Sequence, residues 1–164
     1  MFVVFSMRNK LNILIVLFVL ISLLLTCYIF SNSLQKPVDS NNKSNTISDK
    51  LQSIIDPEFK IEKKDFRKYT RKAAHFIEFA ALGISLAIVF LCVYIKNSKL
   101  FVSLPLFLVL SVAVIDEFIQ NFNGRTSCLK DVLIDFSGSI SGILIVFTIA
   151  IICRRMKIRQ SKIK

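Results

Sequence analysis

The sequence predicts an all-α membrane protein of four transmembrane helices, with a short amphipathic helix in the first extracytoplasmic loop. Three observations carry that class. The 164 residues are 54% hydrophobic with a mean hydropathy of +0.61, too apolar for a soluble domain of this length. Their apolar residues gather in four runs, each long enough at about 1.5 Å per residue to cross a hydrocarbon core of roughly 30 Å. The basic residues lie between those runs and in the tails.

The first span is Leu11 to Phe30, preceded by a ten-residue N-terminal stretch with Arg8 and Lys10 at its end. A cleaved secretory signal is the rival reading, but the run exceeds an h-region of about 7–15 residues and no A-x-A site follows it. Leu24-Leu25-Thr26-Cys27 resembles a lipobox, with Thr26 where a smaller Gly or Ala is usual. An uncleaved span fits better. Met7 is an alternative start, because Met1 to Ser6 is apolar ahead of the charged flank.

Residues 31–72 form the loop after that span. Ser31 to Ser48 is rich in Ser and Asn, carries Pro37 and has no apolar period, so it reads as a flexible extramembrane segment. Beyond Lys50 the pattern changes: Phe59, Phe66 and Tyr69 recur at helical spacing with Lys60, Lys63, Lys64, Arg67 and Lys68 mostly on other faces. This suits a short amphipathic helix on the headgroups, with a solvated basic loop as the alternative.

Three further spans follow: Ala73 to Ile95, Leu100 to Ile119 and Val132 to Cys153. The turn Lys96 to Lys99 joins the second and third, and residues 120–131 join the third and fourth. Pro105 sits near the start of the third span, a position tolerated in membrane helices when neighbours satisfy the freed carbonyl. The tail, Arg154 to Lys164, carries six basic residues and no acid.

Four spans put both termini on one side. Raw counts of Lys and Arg are nearly equal, ten on the terminal side and twelve opposite, so counting alone does not decide the orientation. Proximity does: the tail, the Lys96 turn and the Arg8–Lys10 flank abut spans directly, which predicts cytoplasmic termini. The formal net charge of +11 then faces anionic lipid headgroups, and nucleic acid is not an expected partner. Cys27, Cys92 and Cys153 lie in or at the ends of spans and Cys128 in a polar turn, without metal-ligand spacing; they read as free thiols.

The polar residues within the spans are the functional signal. Acidic side chains in a membrane span cost roughly 2.5–3.5 kcal/mol on insertion scales, yet Asp116, Glu117, Asp131 and Asp135 bracket a single turn. Asp131, Asp135, Gly138 and Gly142 are spaced four, three and four apart and share one helix face, as do Arg71, His75 and Glu78 at spacings of four and three. Gln120 lies one turn beyond Asp116 and Glu117. In the predicted topology all of these reach the outer leaflet, where His75, Glu78, Asp116 and Glu117 are candidate acid/base groups. Arg71, Lys72, Gln120, Arg125, Asp131 and Asp135 are candidate substrate-binding groups, because guanidinium and ammonium groups hold phosphate or carboxylate. A structural ion-pair network is the competing reading of the charged set, and Gly138 with Gly142 reads as a close-packing pair. Neither a metal site nor a cofactor is indicated by spacing.

Arg71-Lys72-x-x-His75-Phe76-x-Glu78-Phe79-x-x-Leu82-Gly83, then Asp116-Glu117-x-x-Gln120, Gly124-Arg125 and Asp131-Val132-x-x-Asp135-x-x-Gly138, resembles the VanZ-like family of small bacterial membrane proteins. The resemblance runs from about Ile29 to Gly142, within a single domain of about residues 29–153. Phe79 stands where that family commonly has tyrosine, and Asn123 where proline often precedes Gly-Arg. The resemblance implies a multi-pass protein of the bacterial cytoplasmic membrane, in a family whose named member is associated with teicoplanin resistance. It implies no established reaction. Two functions of different class are therefore expected: an enzyme acting on a lipid-linked envelope substrate, or a binding protein whose charged cluster engages a headgroup, a lipoglycopeptide or a partner. Proton-coupled transport ranks last, because the inner halves of the spans carry almost no ionisable groups.

Overall fold

The computed structural model describes residues 2–34, 37–58, 60–98, 102–124 and 128–161. Among them are five helices, α1 (Phe2–Leu34), α2 (Pro37–Ile55), α3 (Lys63–Asn97), α4 (Ser103–Phe122) and α5 (Leu129–Ser161), and no strand. The four-span architecture with a short helix between the first two spans is as expected. Four segments, Arg8–Leu34, Lys63–Asn97, Ser103–Phe122 and Leu129–Gln160, are long and apolar enough to cross a membrane. The least apolar of the four is α4, the span that carries Asp116 and Glu117. Large apolar side chains project outward from the spans, with Leu24 70%, Ile77 65% and Phe107 66% exposed. Lipid tails are the solvent that suits such a surface.

The loop differs from expectation. The stretch read as flexible is mostly helical, since α1 continues to Leu34 and α2 starts at Pro37, where a proline with its fixed φ suits the first position of a helix. Contacts with α3 hold α2 in place. The Arg67 guanidinium donates two hydrogen bonds to the Asp49 carboxylate, at 2.9 and 2.7 Å, and Ser48 meets Thr70 at 3.3 Å. Gln52, fully buried, donates to the Ile61 carbonyl at 2.8 Å. Asp56 closes the turn by accepting from the backbone N–H groups of Lys60 and Ile61. The segment of Phe66 and Tyr69 is not a separate surface helix: it forms the first turns of α3, with Phe66 buried and Tyr69 exposed. Phe59 lies outside the described residues.

Pro105 falls in the first turn of α4, so no intrahelical bond is lost there and no freed carbonyl has to be satisfied. Ser98 ends α3 in the left-handed conformation, its N–H donating to the Tyr94 carbonyl at 2.8 Å. Gly124, at φ 77, turns the chain after α4.

The tightest pairing is α3 against α5. A Cβ on Gly83 would collide with the Ser139 carbonyl, one on Gly138 with the Phe76 carbonyl, and one on Gly142 with the Ala80 carbonyl. Only hydrogen at these three positions lets the two backbones approach so closely. Ser139 seals the seam by donating to the Phe79 carbonyl at 3.1 Å. On the other side of α3, Ser22 and Ser85 pair at 2.8 Å and Ser85 also donates to the Phe18 carbonyl, joining α1 to α3. Ile29, Phe79, Leu82, Val109, Ala113, Val132 and Ile143 form the apolar core between the spans.

Candidate functional site

The polar residues meet at one end of the bundle. The C-terminal turns of α1 and α4 and the N-terminal turns of α3 and α5 share that end, and each contributes through its helical spacing. From α3, Lys72, His75 and Glu78 point into the bundle while Arg71 stays exposed. From α4, Asp116 is fully buried and Glu117 is 6% exposed. From α5 come Asp131 and Asp135, the latter 3% exposed. From α1 come Asn32 and Ser33, which sequence reasoning did not place in the site.

Each carboxylate has its own neighbourhood. Asp116 accepts from Ser33 Oγ at 2.5 Å and from Gln120 Nε2 at 2.8 Å. Glu117 accepts the backbone N–H of Cys128 at 2.7 Å, so a side chain of α4 satisfies a donor just ahead of α5 and fixes where that helix begins. Asp131, in the first turn of α5, pairs with Lys72 at 2.6 Å. Helix N-termini favour such an acid. Glu78 Oε2 lies 3.9 Å from His75 Nδ1, while Glu78 Oε1 receives a long bond, 3.4 Å, from Asn32. The carboxylates of Asp116, Glu117, Asp131 and Glu78 all bear on that of Asp135.

Seven of the ten candidate chemical residues, His75, Glu78, Asp116, Glu117, Gln120, Asp131 and Asp135, are therefore brought together, with Lys72 tied to their edge. Arg71 lies further out, in a groove it shares with Lys63, Lys64, Arg67 and Lys68, where basic residues outnumber the acids Glu62 and Asp65, and its charge still acts on Glu117. Arg125 lies outside the described residues. Gly138 and Gly142 belong to the α3–α5 seam beneath the cluster. Phe79 is fully buried in that seam, in surroundings that offer an apolar ring its natural place. Asn123 donates to the carbonyls of Ser33 and Ile119, both at 3.1 Å, and so ties the end of α4 to the end of α1. A proline there could make neither bond.

One further arrangement is invisible in linear spacing. Donor atoms of His75, Asp116 and Asp135, from three different helices, all lie within 4.8 Å of one another. These are imidazole and carboxylate ligands of the kind that hold divalent metals.

The family model described as VanZ/LLP1 matches residues 18–152, which runs from within the first span into the fourth and includes every residue of the cluster. No curated protein and no solved structure matches the chain.

Proposed function

We propose that the chain, which belongs to the VanZ/LLP1 family, acts on an envelope lipid or lipoglycopeptide at the outer leaflet of the bacterial cytoplasmic membrane and contributes to teicoplanin-type resistance. The observation that carries this reading is the convergence of His75, Asp116 and Asp135, with Glu78 and Glu117 beside them, at one end of an apolar bundle. Charged groups are retained in a membrane span where they have work to do. Both termini lie in the cytoplasm in this reading, because the bare basic flanks at Arg8, Lys96 and Arg154 abut spans, and the cluster then faces outward. In this reading His75 with Glu78, and Glu117 with Asp116, act as the acid and base groups; His75 Nδ1 stands 3.9 Å from Glu78, and Asp116 and Glu117 are both buried. Arg71 and the basic groove around it offer a resting place for the anionic part of a lipid-linked substrate.

A second reading has its own support. Asp116, Glu117 and Asp131 already accept hydrogen bonds within the bundle, as a structural network or a headgroup-binding surface would require. The two diverge in how sharply function depends on ionisation. Glu117→Gln and His75→Asn keep shape and remove proton exchange, so an enzyme loses nearly all activity whereas a binder weakens by degrees. The test is susceptibility to teicoplanin, beside vancomycin as the non-lipidated control, in a sensitive Gram-positive host expressing wild type or either variant at matched membrane levels. Selective protection by wild type that vanishes in both variants supports the catalytic reading. Protection that survives both removes it, and absence of protection by wild type removes the resistance role.

A further inference from the structure

We propose that His75, Asp116 and Asp135 are the ligands of a divalent transition-metal ion, zinc or manganese, held between α3, α4 and α5. The three donor atoms lie within 4.8 Å of one another, and donors about 2.1 Å from a tetrahedral ion are roughly 3.4 Å apart. The difference to be closed is at most about 1.4 Å per pair of donors. Asp116 and Asp135 are 0% and 3% exposed, so this is not a surface patch of acids that water screens.

Charge argues in the same direction. Four other carboxylates bear on that of Asp135: Asp116, Glu117, Asp131 and Glu78. The Lys72 ammonium is engaged with Asp131 at the edge of the cluster. Crowded carboxylates in a low-dielectric bundle repel strongly, and a bound dication offsets that repulsion at its centre.

The surroundings have the form of a second shell. Ser33 and Gln120 donate to Asp116 from α1 and from the next turn of α4, fixing the carboxylate in one orientation. The Glu78 carboxylate stands 3.9 Å from His75 Nδ1, on the side from which a carboxylate orients an imidazole that ligates through Nε2. One nitrogen and two carboxylate oxygens suit zinc or manganese better than a thiolate-seeking ion, and three protein ligands leave a position for water or a phosphate oxygen.

The site is independent of the resistance role, and its test uses no antibiotic. The full chain, purified in detergent and stripped with chelator, is incubated with zinc or with manganese, passed through gel filtration, and its retained metal measured by mass spectrometry. The expected result is about one equivalent per chain for one of the two metals, with a raised thermal unfolding midpoint. Metal retention is lost in His75→Gln and Asp135→Asn and kept in Glu58→Gln, an exposed acid paired with Lys60 and outside the cluster. Ser33→Ala, which touches the ligand and not the metal, weakens affinity by about 10–100-fold. Monodisperse wild type that retains neither metal overturns the proposal whatever the variants do. So does retention that persists undiminished in folded His75→Gln and Asp135→Asn protein.

Discussion

Ser33 of α1 donates its hydroxyl proton to Asp116 of α4 at 2.5 Å, and both side chains are fully buried. The bond joins two helices through residues 83 positions apart in the chain and holds the most buried carboxylate of the cluster. Hydrogen bonds to charged groups contribute about 1.5–3 kcal/mol, and Ser33→Ala removes this one while leaving the acceptor in place. The variant should lose about that much stability, read as a lower thermal unfolding midpoint in detergent. An unchanged midpoint would show that the carboxylate finds another partner at no cost.

The α3–α5 seam sets a different limit. At Gly138 an added methyl meets the backbone carbonyl of Phe76, which cannot rotate away as a side chain could. Gly138→Ala should cost on the order of 1–3 kcal/mol and Gly138→Val more, since the helices must separate. Gly124→Ala is the control, with open space around its Cβ and only the left-handed backbone to strain, a cost of about 1–2 kcal/mol. Thermal unfolding of the three variants checks the order, and equal loss at Gly138→Val and Gly124→Ala would contradict the close approach.

Docking of α2 on α3 depends on pH in a direction that the pair Asp49–Arg67 dictates. The hydrogen-bonded Arg67 guanidinium holds the Asp49 carboxyl below its usual range, and the backbone N–H of Ile61, then that of Lys60, does the same for Asp56. A folded-state value lowered in this way stabilises above the unfolded value and loses its contribution as pH falls through the folded one. Protection of α2 from hydrogen exchange should therefore be level near neutrality and decline only below the ordinary value of 3.8. Asp49→Asn should flatten part of that decline and leave the share of Asp56. A decline centred near pH 6 would point to a different group.

Orientation can be read from two thiols. Cys128 and Cys153 are free and exposed, the first at the clustered end of the bundle and the second towards the other. A membrane-impermeant maleimide added to intact cells should label Cys128 and spare Cys153, in a background where Cys27 is replaced. The reverse pattern would turn the cluster towards the cytoplasm and remove an extracellular substrate.

Much of this was legible in the sequence, for physical reasons that also mark where legibility stopped. Span number follows from run length and apolarity, and the faces carrying Arg71, His75 and Glu78, or Asp131 and Asp135, follow from helical spacing. The helix at Pro37–Ile55 was not legible, because its contacts are polar and tertiary: Asp49 with Arg67, and Gln52 with a carbonyl. Ser33 was missed as a site residue since a serine at the end of an apolar run has no partner in linear sequence. The approach of His75 to Asp116 and Asp135 depends on how three helices cross, and Gly83 gains its meaning only from Ser139 opposite it.

The central position of α3 bears on how the molecule is made. This helix packs against α1, α2, α4 and α5, and its glycine seam faces the last of these to leave the ribosome. Until Leu129–Ser161 has been synthesised and inserted, the groove along Gly83 stays open to lipid, and His75 and Asp116 stand without Asp135. Biogenesis therefore completes the seam and the cluster in one event, the insertion of α5. A ribosome stalled before α5 leaves behind three spans with a polar notch in the bilayer, the kind of unfinished surface that membrane quality control recognises.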